Sequence, residues 1–537
     1  MRLATSALAR GVGAAATAVA FLVLAVGLAL LAESYRATLA RGERDQAAYR
    51  VPAEIVVRED LGALVRVLDA APLARYRSLV EAGAAFPVLR TTASAGRSES
   101  ISGVTLLGLP APAVDALSIW RDDWKASRSE LRAALEHGGV AEIRGAALRG
   151  RGLELEVGPT LLGFRAVVVS RSGHFRTIEL GAGQARRTVT LRKPLPRGTD
   201  RLLALELVPP KLEERGADAG VALRGRVLVT LSGSSLTGFV GQGGVSVSSA
   251  RDARRGVQLT YVVTRQRPAR IRAMQATDTA APAVVVTPAL GRLAGGIGGL
   301  VPIRVAGAVI GVRVTMIVER FPGTSGEAVV GPLSVLATAI DADAPGGGRI
   351  SEVWLDPPPG QRAAVEAALG RAPFRALETV TRAGVEADAR RDPLGHGTLL
   401  ALLAAAVVAL LLGVVGLVLA VRADLRDDAG ELAELEAQGA SPSVLRRVVR
   451  LRASIVGVVG LAGGLVAGGS LALLVTRVVR VTARATAPEP PLQTTLDLAV
   501  VGLGGTTIAL LAVALVAQTT RAAFADPRGP GRLGGGH

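Results

Sequence analysis

Four long apolar stretches interrupt the otherwise polar pattern of the chain and predict membrane-spanning helices. About 20 apolar residues of helix are needed to cross the hydrocarbon core of a bilayer. The stretches contain no Asp, Glu, Lys or Arg, and they lie at residues 11–32, 393–421, 453–476 and 498–520. The first is longer than the apolar core of about 7–15 residues in a cleaved signal peptide, so we expect it to remain as a helix.

The long segment between the first two stretches, residues 33–392, changes its pattern twice. Residues 138–263 alternate between apolar and polar positions, which is typical of half-buried strands, whereas residues 33–137 and 264–392 mix strand-like and helical spacing. We predict one α+β lobe, formed by both outer pieces, with a β-sandwich-like insertion between them. Strand candidates in the insertion are residues 153–157, 164–169, 175–180, 188–191, 202–208, 221–231 and 257–263.

The two flanking pieces carry shorter signals of the same two kinds. Short β-branched runs predict strands, and apolar residues three or four apart predict helices. The predicted strands are residues 53–58, 283–287, 303–314 and 351–355, and the predicted helices are residues 61–68, 73–82, 361–369 and 375–388.

Two glycine-rich segments of the outer region, residues 241–249 and 291–299, are interpreted as flexible loops. Neither ends in the Lys-Ser or Lys-Thr pair of a phosphate-binding loop. The uncharged window 227–250 is rich in Ser and Gly, so we interpret it as strand and loop rather than as a further span.

The distribution of basic residues predicts the orientation. With the N-terminus inside, the short inner segments hold eleven Arg and the short outer loop 477–497 holds three. Positive charge is enriched on the cytoplasmic side, and a long segment such as 33–392 does not count because large domains translocate regardless of charge. We therefore expect both termini and the 422–452 loop in the cytoplasm of a multi-pass cell-membrane protein, and the large domain outside.

Composition agrees with a membrane protein and removes several classes of function. Of 537 residues, 49% are hydrophobic but only 3% aromatic, and the mean hydropathy is +0.40. Cysteine is absent, which excludes disulfides, thiol catalysis and cysteine-ligated metals, and the four His are far apart, so we expect no metal site. The net charge of +17 is compatible with nucleic-acid binding, but basic stretches without interleaved aromatics argue against that partner.

The fold class predicted from these patterns is an α-helical membrane protein with four transmembrane helices and a large extracytoplasmic α+β domain that carries a β-sandwich-like insertion. The predicted segments are residues 1–32, 33–137, 138–263, 264–392, 393–421, 422–452, 453–476, 477–497, 498–520 and 521–537.

The cytoplasmic loop, residues 422–452, has the most distinctive pattern of charge. Acidic residues precede basic ones, and Leu432 and Leu435 form a narrow apolar stripe. Gly439 is suited to end a first helix, and Ser441 followed by Pro442 is suited to begin a second. Spacing alone also fits a solvated hairpin that merely connects two spans.

The stretch from 431 to 452, ELAELEAQGASPSVLRRVVRLR, resembles the cytoplasmic segment of the FtsX-like permease family of ABC transporters. In both, the segment begins with an acidic-apolar helix, which is followed by Gly-Ala-Ser and by an Arg-rich run. The Arg-rich run leads into a glycine-rich membrane helix. There, Gly460, Gly464 and Gly468 form a small-xxx-small pattern that allows close helix packing. One helix, a large outer domain and three helices also resemble the MacB-type and LolC-type arrangement, or one half of the ten-span members.

This resemblance implies a permease subunit that works with a separate ATPase and with a second permease copy or paralogue. The chain has no GxxxxGK[ST] motif, so we expect no enzyme activity and no cofactor here, with ATP bound by the partner. We also expect contact with membrane lipid and leave open an extracytoplasmic partner. The residues expected to couple to the ATPase are Glu431, Leu432, Leu435, Gln438, Gly439, Ala440 and Ser441.

Two other functions stay open at this point. One is a mechanotransmission regulator that activates a cell-wall hydrolase without transport. The other is a membrane-anchored receptor or enzyme, which would need a convergent polar cluster in the outer domain.

Overall fold

The computed structural model describes residues 12–525, apart from 81–83, 98–99, 137–144, 149–151, 171–174, 197, 211–222, 231–237, 243, 254–255, 264–268, 275–280, 345, 392, 428–433, 435–437, 439–440, 479–487, 494 and 496. The chain divides into two compact units. The membrane unit combines the segment up to Ala47 with the chain from Ala383 onward, and the outer unit runs from Ala48 to Arg382.

The α-helices of the described residues range from single turns to elements long enough to span a membrane. In chain order they are α1 (Val12–Arg50), α2 (Val67–Ala70), α3 (Leu73–Arg77), α4 (Arg128–Glu136), α5 (Pro288–Leu293), α6 (Leu333–Asp343), α7 (Arg362–Leu369), α8 (Arg382–Arg390), α9 (Pro393–Asp427), α10 (Pro442–Val478) and α11 (Leu498–Ala525).

Three of these helices are long and apolar enough to cross a membrane, at Val19–Arg50, His396–Ala423 and Arg447–Leu474. They fall in α1, α9 and α10. The fourth predicted span lies in α11. Its apolar stretch, Leu498–Thr507, is shorter than the other three and is not among the helices long enough to cross a membrane. Large aliphatic side chains such as Leu411 and Leu503 are 60% and 72% exposed, as lipid-facing residues of a membrane helix would be. The helices thus support a membrane protein, and a count of four spans stays a prediction.

The β-strands of the described residues all belong to the outer unit. They are β1 (Ile55–Glu59), β2 (Ala85–Ala95), β3 (Ile101–Leu109), β4 (Ala146–Ala147), β5 (Gly152–Val157), β6 (Gly163–Ser170), β7 (Phe175–Ala182), β8 (Val189–Pro194), β9 (Thr199–Val208), β10 (Leu223–Val229), β11 (Gly238–Gln242), β12 (Val245–Ala253), β13 (Gly256–Val263), β14 (Ala269–Met274), β15 (Ala283–Val286), β16 (Leu300–Val305), β17 (Ala308–Ile317), β18 (Ala328–Pro332), β19 (Glu352–Leu355) and β20 (Leu377–Thr381).

One mixed sheet joins both flanking pieces into the lobe. Its strand order is β16-β17-β15-β18-β3-β2-β19-β1-β20, and an additional pairing of β16 with β2 closes six of the strands into a ring. The inward side chains of the ring, including Leu106, Ile303 and Val312, are fully buried with Leu336 of α6. Strands from before the insertion (β1, β2 and β3) are intermixed in this order with strands from after it, so the two flanking pieces share one sheet.

The insertion is a pair of antiparallel sheets that share one hydrophobic core. The sheets have the orders β12-β13-β10-β5-β8 and β11-β14-β9-β6-β7, with β4 beside β9. Alternate residues of both sheets are buried, and the rings of Phe164 and Tyr261 meet edge to face with their centroids 6.4 Å apart. Edge-to-face rings and interdigitated aliphatic residues are the usual filling of a β-sandwich.

The structure corrects several predicted boundaries. The insertion continues past residue 263 to Met274, because β14 pairs with both β9 and β11. The interpretation of residues 241–249 as a flexible loop is wrong, since much of that segment lies in β11 and β12, with only short apolar alternation to signal it. The predicted helix 375–388 is also wrong in its first half, which forms β20.

An ionic contact joins the insertion to the lobe. Arg272 of β14 has a side chain only 8% exposed and pairs with the Asp343 carboxylate at the end of α6. Arg270 donates to the main-chain oxygen of Asp343 and, at 2.9 Å, to Glu206 of β9. Because these groups are shielded from water, their pairing restricts the position of the sandwich on the lobe more than a surface pair would.

Candidate functional site

The glycines of α10 that the sequence singled out form a seam along α1. Residues four apart lie on one face of a helix, so Gly460, Gly464 and Gly468 present a continuous backbone surface. A Cβ atom added at Gly460 would lie 2.7 Å from the Leu22 Cβ, and one at Gly464 would lie 2.5 Å from the Val26 Cβ.

The third position of the seam brings two glycines together. A Cβ atom at Gly468 would lie 2.7 Å from the main-chain oxygen of Gly27 on α1. Distances under 3.0 Å are not tolerated between heavy atoms of this kind, so any side chain along the seam would push the helices apart. Gly469, one residue on, has nothing within 4 Å of such an added atom. Close packing therefore involves the side of α10 that carries the 4-residue repeat, and Gly469 lies off it.

The proposed coupling segment is only partly within the described residues. Glu431, Leu432, Leu435, Gly439 and Ala440 lie outside them. The Gln438 N–H donates to the Glu434 oxygen at 3.0 Å, which is the spacing of a helical turn, and both side chains are exposed. Ser441 is exposed directly before α10, which begins at Pro442, and its main-chain oxygen accepts the Val444 N–H at 2.9 Å.

The two chain segments that connect the outer unit to the membrane helices leave it from neighbouring strands. Four residues separate the end of α1 from the start of β1, and β20 leads directly into α8 and then α9. The two strands pair antiparallel from Ile55↔Thr381 to Glu59↔Leu377. The chain therefore enters and leaves the lobe on adjacent strands, at the edge of the nine-stranded sheet.

A cluster of ionic side chains fastens this pair of connections. The Glu54 carboxylate, 11% exposed, pairs with Arg362 of α7 at 2.9 Å and with Arg382 at the start of α8. The Arg382 N–H also donates to the Glu54 main-chain oxygen at 3.0 Å. Sequence reasoning missed this cluster, because its members are about 300 residues apart and no local motif marks them.

A second carboxylate, Asp356, is part of the same electrostatic environment. Burial, and to a lesser degree the charge of Glu54, raises the pKa of Asp356 above its ordinary value. The charges of Arg362 and Arg382 act in the opposite direction and do not cancel that effect. The folded protein therefore binds a proton at Asp356 more tightly than the unfolded chain does.

Within the described part of the chain, no group of three or more His, Asp or Glu is placed to hold a metal ion. The Glu54 carboxylate is paired with two guanidinium groups, and this arrangement is that of a structural junction rather than of an acid–base centre. The features brought together are thus a close helix seam and a fastened pair of connections.

Residues 403–523 match the family model described as FtsX-like permease C-terminal, which covers most of α9, the 422–452 loop, α10 and most of α11. No curated protein matches the chain. The resemblance noted in the loop and in the glycine-rich helix is confirmed by this match, which is consistent with the FtsX-like permease family over residues 403–523.

Proposed function

We propose that the chain is the permease subunit of an ATP-driven ABC transporter of the FtsX/MacB kind. Its role is to transmit the motion of a separate ATPase to the outer unit, for export or extraction of a substrate. The observation that carries this proposal is the family match across residues 403–523, which includes the loop expected to face the ATPase.

The seam between α1 and α10 supports such transmission. Helices that touch through backbone, as at Gly27 and Gly468, have no flexible side chains between them to absorb a displacement. A push on the cytoplasmic end of α10 would therefore be passed to α1 as a movement of the pair.

The junction at Glu54 supports the next step. α1 and α9 lead to β1 and β20, whose pairing and ionic cluster keep the two connections together. A change in the spacing or tilt of α1 and α9 would then act on the lobe at one place, at the sheet edge, rather than at two independent points. The sandwich would follow because Asp343 and Arg272 join it to the lobe.

The partners in this proposal are an ABC ATPase subunit, a second permease copy or paralogue, and membrane lipid. An extracytoplasmic protein that contacts the sandwich is compatible with it. ATP is bound by the partner subunit, and this chain supplies neither a nucleotide site nor a catalytic residue.

The test is affinity purification of the tagged, full-length chain from its native membrane, with mass spectrometry of what copurifies and measurement of ATP hydrolysis. The proposal expects a protein with a nucleotide-binding motif whose hydrolysis rate rises when the chain is present. Copurification of that ATPase together with a cell-wall hydrolase would favour the regulator hypothesis, provided that the hydrolase is active only with ATP and that no substrate is transported. Absence of any ATPase from the purified complex would favour the receptor and overturn the proposal.

A further inference from the structure

The chain segment that connects α10 to α11 lies against α1, within the membrane unit. Two hydrogen bonds join their polar groups. The Thr495 N–H donates to Thr38 Oγ1 at 3.2 Å, and the Arg41 guanidinium donates to Gln493 Oε1 at 2.9 Å. Thr38 is only 4% exposed, so this part of the helix is closely covered.

An apolar contact one helical turn farther along α1 completes the attachment. Gly42 is buried, and the space that a Cβ atom would fill there is occupied by the Cδ2 methyl group of Leu492. The Leu492 Cγ atom lies 3.7 Å from that Cβ position. Glycine inside a helix costs about 0.5–1 kcal/mol relative to alanine. The close approach of Leu492 is a physical reason for glycine at this position.

The three contacts follow one another along the helix. Residues 492, 493 and 495 meet residues 42, 41 and 38, so the connecting segment runs antiparallel to α1 and continues to the start of α11 at Leu498. Residues 38, 41 and 42 lie on one side of the helix, because 41 and 42 are three and four positions after 38. The contacts therefore form one strip along α1 rather than isolated encounters.

α1 is thus held to α10 and to the connecting segment at two levels. In its apolar part, Gly27 lies against Gly468 of α10, and farther out Gly42 lies against Leu492. Gly42 follows Gly27 by 15 positions in one unbroken helix, which is about 22 Å at 1.5 Å per residue. A helix held at one point can tilt about that point. A helix held at two separated points cannot tilt unless one of the contacts breaks.

We infer that the contact between Leu492 and Gly42 is a clamp that makes α1 move with α10 and α11 as one body. The inference rests on the proposed function, in which the ATPase displaces the cytoplasmic end of α10. The clamp keeps α1 from tilting about the glycine seam, so the displacement reaches the end of α1 that leads to the outer unit. Leu492 and Gly42 are positioning residues in this role.

The first test needs no ATPase. The chain has no Cys, so Arg44→Cys and Thr506→Cys, at exposed positions of α1 and α11, direct two spin labels to the full-length protein in detergent. Pulsed electron paramagnetic resonance then gives the distribution of distances between the labels. The clamp predicts a narrow distribution that Leu492→Ala broadens, because α1 can then tilt. The matched control, Leu498→Ala, removes the same side chain from a position that is 78% exposed, and it should leave the distribution narrow.

The second test measures how strongly the chain stimulates the copurified ATPase. Leu492→Ala should reduce the stimulation about twofold or more, whereas Leu498→Ala should not. The rescue is Gly42→Cys combined with Leu492→Cys, because a sulfur atom near the present Leu492 Cγ position is within reach of a disulfide. When reduced, this double variant should behave like Leu492→Ala. When oxidised, it should regain wild-type stimulation, since a clamp does not open.

An unchanged distance distribution in Leu492→Ala would overturn the clamp. A broadened distribution with wild-type stimulation would overturn its part in transmission. Loss of stimulation when the double variant is oxidised would show that the contact must open during the cycle, which also overturns the clamp. If no ATPase accompanies the wild-type chain, the proposed function fails, and the distance distributions still decide whether the clamp exists.

Discussion

Arg382 and Glu54 are 328 positions apart in the chain, yet the side chains and the main chains of these two residues are both bonded to each other. Glu54 stands directly before β1 and Arg382 directly after β20. The pair therefore fastens the two points at which the outer unit continues into α1 and α9.

Glu54→Gln should loosen this junction. The substitution leaves the guanidinium groups of Arg362 and Arg382, which are 36% and 28% exposed, without their counter-charge. For a partly shielded pair of this kind we expect the free energy of unfolding to fall by about 1–3 kcal/mol. This loss should be seen as a fall of a few degrees in the unfolding temperature of the full-length protein in detergent.

The matched control is Glu378→Gln on the same two strands. Glu378 pairs with Arg58 at 2.6 Å, but both side chains are more than 40% exposed, so water screens the interaction. Its loss should change the unfolding temperature by less than one degree. If both substitutions have the same small effect, the cluster at Glu54 contributes no more than a surface ion pair.

Asp356→Asn should stabilise the protein, and more so at neutral than at acidic pH. Because the folded protein raises the pKa of Asp356, its folded state holds a proton that the unfolded chain releases, and wild-type stability falls as pH rises from the ordinary value toward the raised one. Asn has no carboxyl group to ionise, so its burial does not lower the stability as the pH rises. The difference in unfolding temperature between variant and wild type should therefore be larger at pH 7.5 than at pH 3.5.

Asp69→Asn, at an exposed position of α2, is the control for this pH dependence. A gain for Asp356→Asn that does not depend on pH would show that the effect comes from packing rather than from the proton.

Gly464→Leu should disrupt the seam between α1 and α10. A side chain there meets Val26 at a distance no atom pair tolerates, and overpacking of this kind costs about 1–3 kcal/mol. We expect a lower unfolding temperature in detergent and reduced stimulation of the ATPase. Gly469→Leu adds the same side chain to the same helix where the space is open, and it should leave both quantities near wild type. Equal behaviour of the two variants would mean that the seam does not hold the helices together.

The parts of the fold that were predictable are those with a periodic signal. Alternation located the strands from Leu153 to Val157 and from Val257 to Val263, and the 4-residue spacing of glycine marked the face of α10 that meets α1. β12 was missed because its sequence, VSVSSARDA, loses its apolar alternation after two residues. The short run LETVT of β20 was hidden by helical spacing on both sides.

The junction at Glu54 was beyond prediction for a different reason. Its members are set by the pairing of β1 with β20 and by the placement of α7, which follow only from the complete sheet. Charged residues are frequent in the outer region, and nothing local distinguishes Arg362 or Arg382 from the rest. Long-range ionic clusters of this kind become visible only once the topology is known.

The orientation of the membrane helices is tested by reporter fusions. From the excess of Arg in the inner segments, a reporter placed after Arg422 should be cytoplasmic and one placed after Arg484 should be outside. The measurement is the activity of a reporter pair, one active only in the cytoplasm and one only outside it. If both positions report the same side, the predicted arrangement of four spans is wrong.

Leu435→Asp should separate the permease from its ATPase. The resemblance to the FtsX-like permease family implies that the segment from 431 to 441 faces the ATPase. Leu432 and Leu435 are the apolar residues of this segment that are available as buried anchors. Truncating or charging such an anchor often costs more than about 1 kcal/mol at an interface, whereas an exposed rim residue costs little. We therefore expect loss of the copurifying ATPase, or loss of stimulated hydrolysis, with the permease still folded in the membrane.

Glu434→Ala, at an exposed position one residue earlier, should have a much smaller effect, and Ser443→Ala, just past the segment, should have none. Wild-type copurification and hydrolysis with Leu435→Asp would mean that the loop is only a connector between α9 and α10, and the receptor hypothesis would gain.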